Sequence, residues 1–143
     1  MRFWDTSALI PLIIDEPLSP VARTLLETDT ELVLWWGASV ECLSALARSL
    51  REGRITRVDD DAGRTVVEAL RDGAFEIQAG EEVRARAGRL LGRHPLRAAD
   101  ALHLAAALTW CLERPSGAGF VCLDHRLRQA AEREGFLVLP TSI

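Results

Sequence analysis

Four carboxylates stand out by where they fall: Asp5, Glu41, Asp100 and Asp124. Asp5 closes the apolar run MRFW and Asp124 closes FVCL. Glu41 lies shortly after ELVLWW. Asp100 sits within LRAADALHLAAAL (96–108), which is apolar nearly all the way round and therefore reads as a buried helix rather than a surface one. An unpaired buried carboxylate is costly, so such a residue is ordinarily paired, hydrogen-bonded or bound to a metal. Four acids in one cleft would repel each other, and a divalent cation is the simplest relief. All-oxygen ligation suits Mg²⁺ or Mn²⁺, and the lack of a Cys/His cluster argues against zinc.

Taken singly, each acid has a plainer use. Asp5 and Asp124 suit helix N-caps, and Glu41 suits the positive end of a helix. What joins them is the order of elements. Short apolar runs at 1–4, 31–36, 74–78, 120–123 and 136–139 read as strands, separated by segments of helical periodicity with no hairpin signal between any two. This is the pattern of one α/β domain spanning 1–143, a parallel sheet of about five strands with helices on both faces. In open parallel sheets, ligands bind at the carboxyl edge of the strands. If the first strand lies between the second and fourth, Asp5, Glu41 and Asp124 face one crevice, and Asp100 enters it from the side.

Several local expectations accompany this reading. Ser19 should N-cap a helix with Pro20 in its first turn. Leu43, Leu46, Ala47 and Leu50 should form the inward stripe of the helix after Gly37, and the acidic run 59–61 should open the next helix. Trp35 and Trp36 read as core packing in preference to a stacking platform for bases. His103 reads as a histidine of the core or cleft wall in preference to a metal ligand, while His94 and His125 carry no specific signal. Arg84, Arg86, Arg89 and Arg93 read first as a solvated helix face and second as a face for RNA backbone.

Composition bounds the partners. In 143 residues, 48% are hydrophobic and 27% charged, enough for one well-packed core. The net charge of −4 gives no overall basic field toward nucleic acid or membrane. There is no Lys, Asn or Tyr, so contacts to anions must come from Arg, backbone amides or a metal. Cys42, Cys111 and Cys122 lie in apolar runs without a CxxC pair, as small buried hydrophobes in a reducing compartment do. The apolar run 8–14 is broken by Pro11 and ended by Asp15-Glu16-Pro17, which suits neither a signal peptide nor a membrane span and points to a cytoplasmic protein.

Four pieces, WDTSAL, SVECLSALAR, LRAADALHLAAAL and FVCLDHRLRQAAEREGFLVL, together resemble a PIN-domain ribonuclease, more narrowly the VapC-type toxin of bacterial toxin–antitoxin pairs. Their order and spacing fit over the whole chain. The resemblance implies a metal-dependent endoribonuclease using Mg²⁺ or Mn²⁺, with Asp5, Glu41, Asp100 and Asp124 as catalytic and metal-holding acids. It further implies that Ser7 supports the site by hydrogen bonds, that a VapB-like antitoxin inhibits the enzyme, and that the protein forms a homodimer acting on RNA. One departure is Cys122, where many relatives carry Thr or Ser, which bears on the placement of Asp124.

Three other classes are weighed at this level. A phosphoacceptor signalling module would place acids similarly, but that chemistry uses a Lys, and the chain has none. A catalytically silent binding module on the same architecture would need no metal. A haloacid-type phosphatase would want a second Asp where Ser7 stands.

Overall fold

The computed structural model describes residues 1–143. Five short strands, β1 (Arg2–Trp4), β2 (Leu32–Trp35), β3 (Phe75–Ile77), β4 (Gly119–Val121) and β5 (Leu137–Leu139), form one sheet. Its order is β3-β2-β1-β4-β5 and every pairing is parallel. Phe3 stands opposite Val33 on one side and Phe120 on the other, so β1 is central, between β2 and β4. The condition for convergence of the acids is therefore met.

Seven helices cover the sheet: α1 (Thr6–Ile13), α2 (Ser19–Thr28), α3 (Ala38–Arg51), α4 (Arg57–Gly73), α5 (Glu81–Arg93), α6 (Ala98–Trp110) and α7 (His125–Glu134). Side chains alternate across a strand, and the core divides accordingly. Phe3, Val33, Trp35 and Phe120 face α5, α6 and α7, whereas Trp4, Leu34 and Val121 face α1, α3 and α4. The Ala-rich α6 is the buried helix expected: Ala101 and every residue from His103 to Leu108 are buried. Small side chains let its backbone lie close to the sheet and to α5, and adding bulk there would overpack the core.

Three local expectations are corrected. Ser19 is not an N-cap; it is fully buried, its hydroxyl accepting from the Glu16 amide (2.9 Å) and donating to the Ile14 carbonyl (3.3 Å). It thus ties the turn between α1 and α2. The buried face of α3 is Ala38, Cys42, Leu46 and Ser49, a stripe at three- and four-residue intervals, with Leu43 at its margin. α4 begins before the acidic run, because Thr56 caps the Asp59 amide while the Asp59 carboxylate caps the Thr56 amide, a reciprocal box. No helix is long and apolar enough to cross a membrane.

Candidate active site

Asp5 leaves β1 directly into the N-terminus of α1 and is 4% exposed. Its Oδ2 accepts from the Ser7 amide (2.9 Å) and the Ser7 hydroxyl (2.5 Å). Ser7 Oγ in turn accepts from the Leu123 amide (2.9 Å) and the Asp124 amide (3.2 Å). One hydroxyl thus links the carboxyl ends of β1 and β4. Cys122 joins this cluster, with Sγ 3.6 Å from Ser7 Oγ and 3.7 Å from Asp5 Oδ2. Burial, then the charge of Asp5, pushes its thiol well above the usual range, so it acts as a neutral neighbour and not as a nucleophile. Asp124 caps α7 by accepting from the Leu127 amide (2.9 Å). The caps expected of Asp5 and Asp124 are real; Asp124 lines an open cleft, whereas Asp5 is buried and, like Glu41, outside that lining.

Glu41, in the first turn of α3, is held by a residue that sequence reasoning undervalued. Its Oε2 accepts from Thr6 Oγ1 (3.0 Å) and lies 2.5 Å from His103 Nε2. His103 is 1% exposed, with Nδ1 3.4 Å from Asp5 Oδ1, an ion-pair contact and not a hydrogen bond. Burial resists charging the imidazole, but the carboxylates of Asp5, Glu41 and Asp100 outweigh it and hold the ring above its ordinary pKa. His103 is indeed a wall residue and not an exposed ligand, but its ring bridges two of the acids, Glu41 at Nε2 and Asp5 at Nδ1. The signal was present in its spacing: His103 lies one turn beyond Asp100, on the same helix.

Asp100 is half-buried and faces a cleft of about 470 Å³ lined by Arg97, Ala99, Asp124, His125 and Arg126. Burial first, then the charges of Asp5 and Asp124, hold its carboxyl above the usual carboxylate range; His103 and the Arg97 amide pull the other way. No salt bridge reaches Asp100, and Arg97 is exposed. A structural carboxylate neutralised by a buried arginine is therefore not what the fold contains.

The acids are near enough to feel one another, yet no three His, Cys, Asp or Glu side chains are close enough together to hold one ion. In donor type the residues fit a hard divalent cation: Asp100 has no protein hydrogen-bond donor on its carboxylate other than the weak influence of the Arg97 amide, and the histidine in reach is already engaged by Glu41. In spacing they stand apart.

Residues 2–133 match the sequence profile of the PIN domain. The chain belongs to the PIN domain family. Among solved structures it is similar to the crystal structure of FitAcB from Neisseria gonorrhoeae, at 13% identity, with 96% of each chain covered and a TM-score of 0.64. At that identity the likeness speaks for the fold. No curated protein matches the chain in sequence.

Two further expectations are met in part: Trp35 but not Trp36 is core, and Arg84, Arg89 and Arg93 lie on a solvated face of α5 while Arg86 is buried. Trp35 is buried as core, but Trp36 is 52% exposed and meets Trp35 edge-on, so the pair is not core packing as a whole. The α5 arginines are tied to acids. Arg84 pairs with Glu81, Arg86 with Glu82 and Glu113, Arg89 with Glu113, and Arg93 with Glu134. They form a charge-compensated helix face.

Proposed function

We propose that this PIN domain is an endoribonuclease toxin of the VapC type that depends on Mg²⁺ or Mn²⁺ and is inhibited by a VapB-like antitoxin. One observation carries the reading. Asp100 projects from a largely apolar helix into a cleft shared with Asp124, forms no ion pair, and is held above its ordinary pKa by burial and by Asp5 and Asp124. Such an arrangement costs stability unless a cation occupies it, and costly charge in a cleft is a mark of function.

Asp5, Glu41, Asp100 and Asp124 would hold the ion only by drawing closer than the arrangement described above, in which no three of them gather at one point. When bound, it supplies a water of lowered pKa for attack on the phosphodiester and charge for the leaving oxygen. The chain's own residues do the rest. Ser7 fixes Asp5 relative to the Asp124 backbone, and Thr6 with His103 fixes one oxygen of Glu41, leaving the other free. Sequence preference must come from the rim, since a metal ion confers none. A homodimer and a cytoplasmic site of action accompany this reading through the resemblance alone.

The spacing of the acids favours a second reading, a catalytically silent binding module, because no three of them gather at one point. Cleavage of single-stranded RNA with Mg²⁺, abolished by excess EDTA and restored by Mn²⁺, supports the enzyme. Calorimetry showing no heat of Mg²⁺ binding, together with intact RNA, would favour the silent module. Purification with a small co-expressed partner that suppresses cleavage tests the antitoxin.

A further inference from the structure

The cleft that holds Asp100 and Asp124 is not purely acidic. Arg97, the N-cap residue of α6, and Arg126, in the first turn of α7, line it with them, and both are exposed. Arg97 is three residues from Asp100 and Arg126 two from Asp124, yet neither guanidinium comes within ion-pairing distance of any carboxylate. Opposite charges that share a cleft without neutralising each other leave the cations available to a ligand. The ligand must be anionic to satisfy them, and it must also tolerate the neighbouring acids.

We infer that Arg97 and Arg126 are positioning residues that seat phosphates of a single-stranded RNA in the cleft they share with the carboxylates. The inference rests on the nuclease reading for the identity of the strand, and the chemistry supports it independently. A guanidinium presents a fork of donors that matches phosphate oxygens bidentately. The protein carries a net charge of −4 and has no lysine, so a polyanion approaching the acids needs local cations, and these arginines are at the acids' own cleft. Their separation from the acids by side-chain conformation, in place of ion pairs, lets a phosphate occupy one group while a cation occupies the other. Exposure of both guanidiniums keeps the cost of leaving them unpaired small.

The test measures binding of a short fluorescein-labelled single-stranded RNA by anisotropy in EDTA, over a range of salt, with cleavage in Mg²⁺ followed in parallel. Arg97→Ala/Arg126→Ala should weaken binding and lower the slope of log affinity against log salt by about 1.4, roughly 0.7 for each lost single-strand phosphate contact. In Mg²⁺ its KM should rise while kcat holds, and Mg²⁺ affinity by calorimetry should be unchanged or tighter, since a positive charge has left the rim. Arg97→Lys/Arg126→Lys, which keeps the charges, should retain the slope. Unchanged slope and KM in a folded double-alanine variant would overturn the inference, as would wild-type protein that binds no RNA, or an effect confined to affinity for a protein partner. Wild-type protein that binds RNA through these arginines but never cuts it would uphold the inference and sink the nuclease reading.

Discussion

The two ends of α6 treat charge in opposite ways. At its carboxyl end, Arg86 is nearly buried and fully used: it donates to Thr109 Oγ1 at 2.7 Å, to Glu113 at 3.1 Å, and pairs with Glu82 at 2.7 Å. Burial opposes its charge, yet those two glutamates raise its pKa regardless. At the amino end, Asp100, Asp124, Arg97 and Arg126 share a cleft with no ion pair among them. The same helix thus meets a neutralised network at one end and an uncompensated one at the other. Folding alone would favour compensation at both ends. Charge left without a partner at the amino end is the observation on which the proposed site rests.

The largest break in this comparison is Asp100→Asn. Asn keeps the size but removes the charge that a cation needs, so RNA cleavage should fall by orders of magnitude. Stability of the metal-free protein should hold or rise, because a repulsive, partly desolvated charge is gone. The pH dependence has a definite sign. The folded-state pKa of Asp100 is raised, so between the ordinary aspartate value and that raised value the folded state binds more protons than the unfolded. This residue therefore makes the metal-free wild type gain stability as pH falls through that window, and Asp100→Asn should flatten the gain. Thermal melts against pH without metal, run beside a cleavage assay, check both. A variant that is destabilised yet fully active would overturn the metal-site assignment.

Ser7→Ala is expected to act next most strongly. It removes the hydroxyl that accepts from the Leu123 and Asp124 amides and donates to Asp5. Loss of stability of about 1–3 kcal/mol is expected from donors left without their acceptor. Cleavage should fall beyond what the folded fraction explains, since Asp5 and Asp124 lose their shared anchor. Ser7→Thr, which restores the hydroxyl, should recover part of both. Equal activity per folded molecule in Ser7→Ala would mean that the hub serves the fold alone.

Much of this contrast was legible in the sequence, for a reason of period. Runs of apolar residues ending in Asp gave β1 with Asp5 and β4 with Asp124, and the unbroken apolar face of 96–108 gave a buried helix with one unexplained acid. Parallel order then brought them to one edge. What was not legible depended on tertiary partners. Ser19 matched the N-cap pattern, but its hydroxyl found the Ile14 carbonyl and Glu16 amide across the turn instead. The helical spacing of α5 already offered Glu81 to Arg84 and Glu82 to Arg86, but the partners Glu113 and Glu134 come from elsewhere in the chain and left no such sign. His103 could be placed beside Asp100, but its hold on Glu41 required α3 and α6 to meet across the sheet.

Sharpening the compensated end calls for Arg86→Met, which keeps the apolar stem and removes the charge. Loss of the charge-assisted bond to Thr109 should cost about 1.5 kcal/mol, and Tm should fall by roughly 4 °C. Glu113 is exposed and returns to water without penalty, which keeps the effect this small. Cleavage and its salt dependence should not change. A marked loss of activity in folded Arg86→Met protein would show that the two ends of α6 are coupled, and would blur the contrast drawn above.

The smallest effect belongs to Arg89→Ala/Arg93→Ala. Both side chains are well exposed and stand 3.8 Å from their acids, Glu113 and Glu134, at the limit of an ion pair. Screened surface pairs of this kind contribute at most about 1 kcal/mol and often nothing measurable, so stability should move by less than roughly 0.5 kcal/mol. RNA is the more informative readout. If α5 were a backbone-contacting face, two lost contacts would reduce the salt slope as much as loss of Arg97 and Arg126. Since each α5 guanidinium already has a carboxylate to answer it, a phosphate would have to displace a partner that is tethered to the same fold. The slope should therefore stay at the wild-type value. A reduction matching that of the cleft pair would mean that ion pairing at 3.8 Å does not remove an arginine from service, and the distinction between paired and unpaired ends would have to rest on Asp100 alone.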